Sequence, residues 1–70
     1  MRTLKEITML KYQITIGDRV RCIRMYDNRA IESGTCGTVE EIDDMGTIHV
    51  KWDNGRTLGL IPEVDIFEKI

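Results

Sequence analysis

The stretch Ile48-His49-Val50-Lys51-Trp52-Asp53-Asn54-Gly55 constrains the fold most, because it alternates apolar and polar residues and then ends in a hairpin signal. In an extended chain successive side chains point to opposite faces, so Ile48, Val50 and Trp52 share a dry side while His49 and Lys51 meet water. Asn-Gly tolerates the positive φ that a type I′ turn needs at both central positions, so a two-residue reversal is expected at Asn54-Gly55. Beyond it Arg56-Thr57-Leu58-Gly59-Leu60 alternates again, with Leu58 and Leu60 on the face of Val50 and Trp52. Trp52 reads as a core residue whose indole N–H finds an acceptor, the alternative being an aromatic that faces a ligand.

Seventy residues make at most one domain, and a chain of this length buries only about 60% of the surface it exposes when unfolded. With 41% hydrophobic and 31% charged residues, the composition is that of a folded domain and not of a disordered tail. No apolar run reaches the roughly 18 residues of a membrane span and no secretory signal is visible, so a cytoplasmic location is expected. Cys22 and Cys36 read as buried thiols in a reducing compartment, with a disulfide as the alternative. Together with one histidine, His49, on the water-facing side, they fall short of a metal site. The net charge of −2 is uneven: residues 1–30 carry seven bases and three acids (+4), and residues 31–70 three bases and nine acids (−6).

Thr3-Leu4-Lys5-Glu6 has the form of a capping box, and Leu4, Ile7 and Leu10 recur at intervals of three, so a short amphipathic helix is expected over residues 4–12. It is too short to persist alone and must dock on the rest of the chain or on a partner. After a turn at Gly17-Asp18, residues 19–25 form a strand with Val20 and Cys22 inward and Arg19, Arg21 and Arg24 outward. Residues 26–33 form a loop in which Tyr26 and Arg29 are the best contact residues and Ile31 plugs the interior. Glycines flank the entry to a strand over residues 38–42. There Val39 and Ile42 can both be buried only if Glu40-Glu41 forms a β-bulge. The acidic cluster Glu40, Glu41, Asp43 and Asp44 lacks the alternate-position oxygens of a calcium loop and reads as a solvated rim. Pro62 to Asp65 is expected to close as a 3₁₀ turn with Val64 tucked in, followed by a last strand anchored by Phe67.

These elements predict a mainly β fold: a five-stranded SH3-like barrel over residues 13–70, with residues 1–12 as a helical appendage, all in one domain 1–70. The run from Gly17-Asp18-Arg19-Val20-Arg21 through Gly34-Thr35-Cys36-Gly37-Thr38-Val39 to His49–Gly55 and Leu60-Ile61-Pro62 resembles a small domain-of-unknown-function family of phages, plasmids and their bacterial hosts. The Gly-Asp-x-Val and Gly-x-x-Gly-x-Val elements are similar to KOW-type barrels, a resemblance that implies contact with RNA or protein. Trp52-Asp53-Asn54-Gly55 looks like the hairpin of Mind-bomb type barrels, which implies peptide binding. Fold alone does not choose between them.

No nucleophile has a plausible histidine partner and no phosphate-cradling glycine loop is present, so a non-enzymatic binding module without cofactor or metal is expected. The first reading is protein–protein interaction through Tyr26, Asp27 and Arg29 of the first loop with Asn54 and Arg56 of the hairpin, the module being monomeric or homodimeric. The second is nucleic-acid binding through Arg19, Arg21, Arg24 and Arg29 with Tyr26 as a stacking platform. The acidic total weighs against it, because such binding draws on neutralised phosphates. A third reading offers the Glu40–Asp44 rim to a basic groove on another protein.

Overall fold

The computed structural model describes all residues, 1–70. Helix α1 (Leu4–Lys11) is followed by strands β1 (Arg19–Arg24), β2 (Cys36–Ile42), β3 (Ile48–Trp52), β4 (Thr57–Leu60) and β5 (Ile66–Lys69). The strands form a single sheet in the order β4-β3-β2-β1-β5 with every neighbouring pair antiparallel. β4 and β5 are its edges and do not pair with each other, so the five expected strands form while the closure of a barrel does not.

The parity read from β3 holds. Ile48, Val50 and Trp52 are buried, Lys51 is exposed and His49 lies half-buried on the opposite face. Trp52 donates its indole N–H to the Leu58 carbonyl at 3.0 Å, so a large apolar surface is buried without orphaning its one donor. Leu60 is fully buried beside this row and Leu58 packs on it from the edge. Val20 and Cys22 supply the inward side of β1, and Ile31 closes the interior from the first loop. Burial raises the Cys22 thiol pKa. Cys36 alternates to the other side of the sheet and both cysteines are free thiols.

The β2 bulge falls where the spacing of Val39 and Ile42 requires it. The register with β3 shifts between Val39 and Glu41, Glu40 and Glu41 stay exposed, and both apolar residues are buried. The hairpin turn differs from the expectation. Gly55 has φ +89° but Asn54 does not enter the left-handed region, so the two-residue type I′ form is not adopted. Gly55 N–H instead donates to the Trp52 carbonyl, and Trp52 N–H to Arg56. The reversal is thus a three-residue loop, Asp53-Asn54-Gly55, with its one left-handed residue last, a common hairpin form that asks positive φ only of glycine.

The helix begins where predicted, with Thr3 Oγ1 accepting from the Glu6 N–H at 3.1 Å, the first half of the expected capping box; the return bond from the Thr3 N–H to the Glu6 carboxylate does not form. Its orientation is not the one the spacing of three suggests. Leu4, Ile7 and Leu10 remain about half exposed, and Thr8, Met9 and Tyr12 face the sheet. Polar anchors in the middle and at the C-terminal cap of the helix set this rotation: Thr8 Oγ1 donates to the Gly46 carbonyl at 3.1 Å, and the Tyr12 hydroxyl donates to the Pro62 carbonyl at 3.1 Å. The Tyr12 ring then packs on Phe67 with centroids 5.4 Å apart.

Residues 62–65 close as a single turn, with the Val64 N–H making the expected i→i+3 bond to the Ile61 carbonyl and the Asp65 N–H donating to the same oxygen. Val64 is exposed, and Asp65 takes the buried place. Its carboxylate accepts from Ile61 N–H at 2.9 Å and Tyr26 N–H at 3.2 Å, which ties the start of the first loop to the turn before β5. Asp65→Ala leaves both amides without that acceptor, an expected loss of about 1–3 kcal/mol read from the urea midpoint. Asp65→Asn, which keeps one carbonyl oxygen, is expected to fall between the two.

Candidate functional site

The first loop runs from Met25 to Thr35 and is held in place from three directions. Asp65 fixes Tyr26 from below. Within the loop Asp27 accepts from the Arg29 amide at 2.7 Å through its side chain and from Ala30 at 3.1 Å through its carbonyl, a tight turn that specifies one backbone path. From the β3–β4 hairpin, the Arg56 guanidinium donates to the Arg29 carbonyl and to the Ala30 carbonyl, the latter at 3.4 Å. The hairpin in turn is shaped by Asn54, whose side-chain oxygen accepts from the Arg56 amide at 3.0 Å. The five residues predicted for protein contact therefore come together, with a division of labour. Asp27, Asn54 and Arg56 are engaged in holding the loop, and Tyr26 and the Arg29 side chain are presented by it.

The four predicted arginines of the cationic stripe separate into two pairs. Arg19 makes a two-pronged contact with Asp53 at 2.8 and 2.6 Å and also reaches Thr38 at 3.1 Å. Arg21 is paired with Glu68 on β5. The hydrogen bond donated by Arg19 holds the Asp53 carboxyl below its usual pKa, and the one Arg21 donates to Glu68 raises the Arg21 guanidinium pKa further. Each of these cations is matched within the chain. Arg24 and Arg29 have no carboxylate partner. The Arg24 guanidinium lies over the Tyr26 ring, 5.2 Å from its centre, a cation–π arrangement.

Around this pair lie apolar side chains that sequence reasoning passed over. Arg24 pairs with Ile66 across β1 and β5, and Ile23 sits in the register shift between them. Ile23 is 39% exposed, Ile66 50% and Tyr26 56%, so the cations are set among uncovered carbon. Strand parity held the signal: with Phe67 inward, Ile66 must point out.

The acidic rim is a different place. Asp43 turns in to organise the β2–β3 connection, accepting from the Met45 and Thr47 amides and from His49 Nε2 at 2.7 Å. The His49 hydrogen bond is the main reason its pKa lies below the ordinary carboxylate value. Glu40 and Glu41 border an open cavity of about 420 Å³ completed by His49, Thr57 and Gly59. No group of histidine, cysteine and carboxylate side chains is arranged to hold a metal ion.

The depressed carboxylates give a pH dependence whose sign follows from linkage. Asp43 and Asp53 titrate lower when folded than when unfolded, so their contributions are complete above the unfolded carboxylate value near ~3.9 and vanish as pH falls through the folded values. The urea midpoint is expected to fall on acidification below about pH 4. The Asp43→Asn, Asp53→Asn double variant is expected to show a shallower fall over the same range.

No helix is long and apolar enough to cross a membrane. No curated protein matches the chain. Among solved structures it is similar to unliganded Pif1 from Bacteroides sp, with 25% identity and a TM-score of 0.57 over 81% of this chain. It spans 16% of the length of that protein. A family model described as a domain of unknown function, DUF4314, matches residues 3–70, and the chain belongs to that family.

Proposed function

We propose that the chain is a non-enzymatic, protein-binding module of SH3-like design, whose contact surface is the first loop with the adjoining β1–β5 face. The design is supported by five short antiparallel strands, the long loop after β1, the bulge in β2 and the return of β5 to β1. Its likeness to one sixth of a larger chain fits the modular reading. The observation that carries the reading is the loop's construction. Asp65 and Arg56 immobilise its backbone from opposite sides, while Tyr26 is held out in solvent with Arg24 stacked on it. A rigid loop presenting an uncovered aromatic lowers the ordering cost of binding. A nucleic-acid stripe is less well supported, since Arg19 and Arg21 are each matched to a carboxylate that a phosphate would have to displace.

The test is selection of a random phage-displayed peptide library on the immobilised protein, followed by binding measurements on loop variants. Peptides are expected to enrich, and their binding is expected to be lost in Tyr26→Ala and weakened about tenfold in Arg56→Ala, which frees the loop without removing a contact group. Both variants are expected to keep the wild-type circular dichroism spectrum. Absence of enrichment, or enriched peptides indifferent to both variants, contradicts the proposal.

A further inference from the structure

From the charge pairing across the molecule we infer that this surface takes an acidic, aliphatic peptide segment, with Arg24 and Arg29 reading its carboxylates. The inference rests on the protein-binding reading above and adds the chemistry of the partner. The chain has twelve acidic and ten basic side chains, so acids are in excess. Lys11, Arg19, Arg21 and Lys69 are each matched to a carboxylate, on Glu63, Asp53, Glu68 and Asp18 respectively. Arg24 and Arg29 go without, although Asp27 lies between them in sequence and turns its carboxylate to the loop backbone instead. Of the other bases without a carboxylate, Arg56 spends its guanidinium on the Arg29 and Ala30 carbonyls, and Arg2 and Lys5 at the helix and Lys51 on β3 stand elsewhere; Arg24 at the end of β1 and Arg29 in the loop that follows flank the exposed Tyr26.

The geometry suits a carboxylate. The Arg24 guanidinium carbon lies 5.2 Å from the Tyr26 ring centre and no carboxylate of the chain pairs with its N–H groups, and a planar guanidinium edge matches the two oxygens of a carboxylate. Contact with the ring also lowers the rotamer freedom that a lone surface arginine would lose on binding. Ile23 and Ile66 beside Arg24 ask for aliphatic carbon between the acids. A nucleic-acid strand offers the same guanidinium a phosphate, but it continues past the loop. On the same outer side of the β1–β5 sheet it would meet Glu68 and Asp53, both already paired, and the backbone charge would gain little there. A short peptide ends where the cations end.

The composition of the selected peptides tests this separately from the proposed function. Loop-dependent peptides rich in Asp and Glu with intervening Leu, Ile or Val are expected. Conversion of their acids to Asn and Gln is expected to weaken binding about tenfold or more, as is Arg24→Ala or Arg29→Ala in the protein. Arg24→Lys is expected to restore little, since a point ammonium neither stacks flat nor offers two parallel donors. Loop-dependent peptides that lack acids, or that bind equally well after amide conversion, overturn the inference and leave the protein-binding reading intact. A mixed-sequence single-stranded oligodeoxynucleotide that binds through Tyr26 and Arg24 when no peptide does overturns both.

Discussion

Trp52→Ala is expected to leave the chain without a cooperative folded state at room temperature, seen as a far-ultraviolet circular dichroism spectrum of an unfolded chain and as loss of a sigmoidal urea transition. Trp52 is 1% exposed and is the largest side chain in the core. Truncating a buried tryptophan typically costs about 3–5 kcal/mol, and a domain of this length holds roughly 4–10 kcal/mol in all. The variant also takes the indole donor away from the Leu58 carbonyl at the sheet edge. Trp52→Phe separates the two effects. It keeps most of the ring volume and loses the hydrogen bond, so a cooperative transition with a midpoint lowered by about 1–3 kcal/mol is expected. Equal losses in the two variants would mean that the hydrogen bond, and not the buried ring, holds β4 to β3.

Gly37→Ala is the second large effect, and it arises from the backbone. Gly37 faces inward on β2 opposite Trp52, between Cys36 and Val39 on a strand that must pass close to β3. A Cβ there would stand 2.5 Å from Val50 Cγ1, 2.8 Å from the Lys51 carbonyl oxygen and 3.0 Å from the Trp52 Cα. Two of these three atoms belong to the neighbouring strand's backbone and cannot rotate away. Relief requires the β2–β3 pairing to open, so a loss of about 3 kcal/mol is expected from the urea midpoint. The larger Gly37→Val is expected not to fold. Gly55→Ala provides the contrast: nothing lies within 4 Å of its Cβ, and its cost comes only from a φ of +89°. About 1–2 kcal/mol is expected there.

What could be read in the sequence is what strand parity and local chemistry decide. Ile48, Val50 and Trp52 had to share a face, and Val39 and Ile42 could both be buried only around a bulge, since neither conclusion needs a distant residue. The hairpin turn was misjudged because Asn-Gly supports more than one reversal, and the observed loop asks a left-handed conformation of Gly55 alone. The helix face was set by Gly46 and Pro62, 38 and 50 residues along the chain from the side chains they anchor. No periodicity within residues 4–12 encodes those bonds. The same holds for the charges. Arg19 and Arg21 look alike to Arg24 in sequence, but their partners Asp53 and Glu68 lie 34 and 47 positions away. Asp65 was overlooked beside Val64 because burying a carboxylate is favourable only where amides wait for it, and one of them belongs to Tyr26.

The loop surface is the part of this account on which the functional reading depends. Arginine side-chain Nε–Hε and backbone amide resonances of isotope-labelled protein, followed while a selected acidic peptide is added, test it directly. Perturbations are predicted at the Arg24 and Arg29 side chains and at the amides of Tyr26 and Ile66, with the Arg19 and Arg21 side chains unmoved in their pairs. Shifts centred instead on Glu40, His49 and Gly59, or on Leu4, Ile7 and Leu10 of the helix, would contradict it.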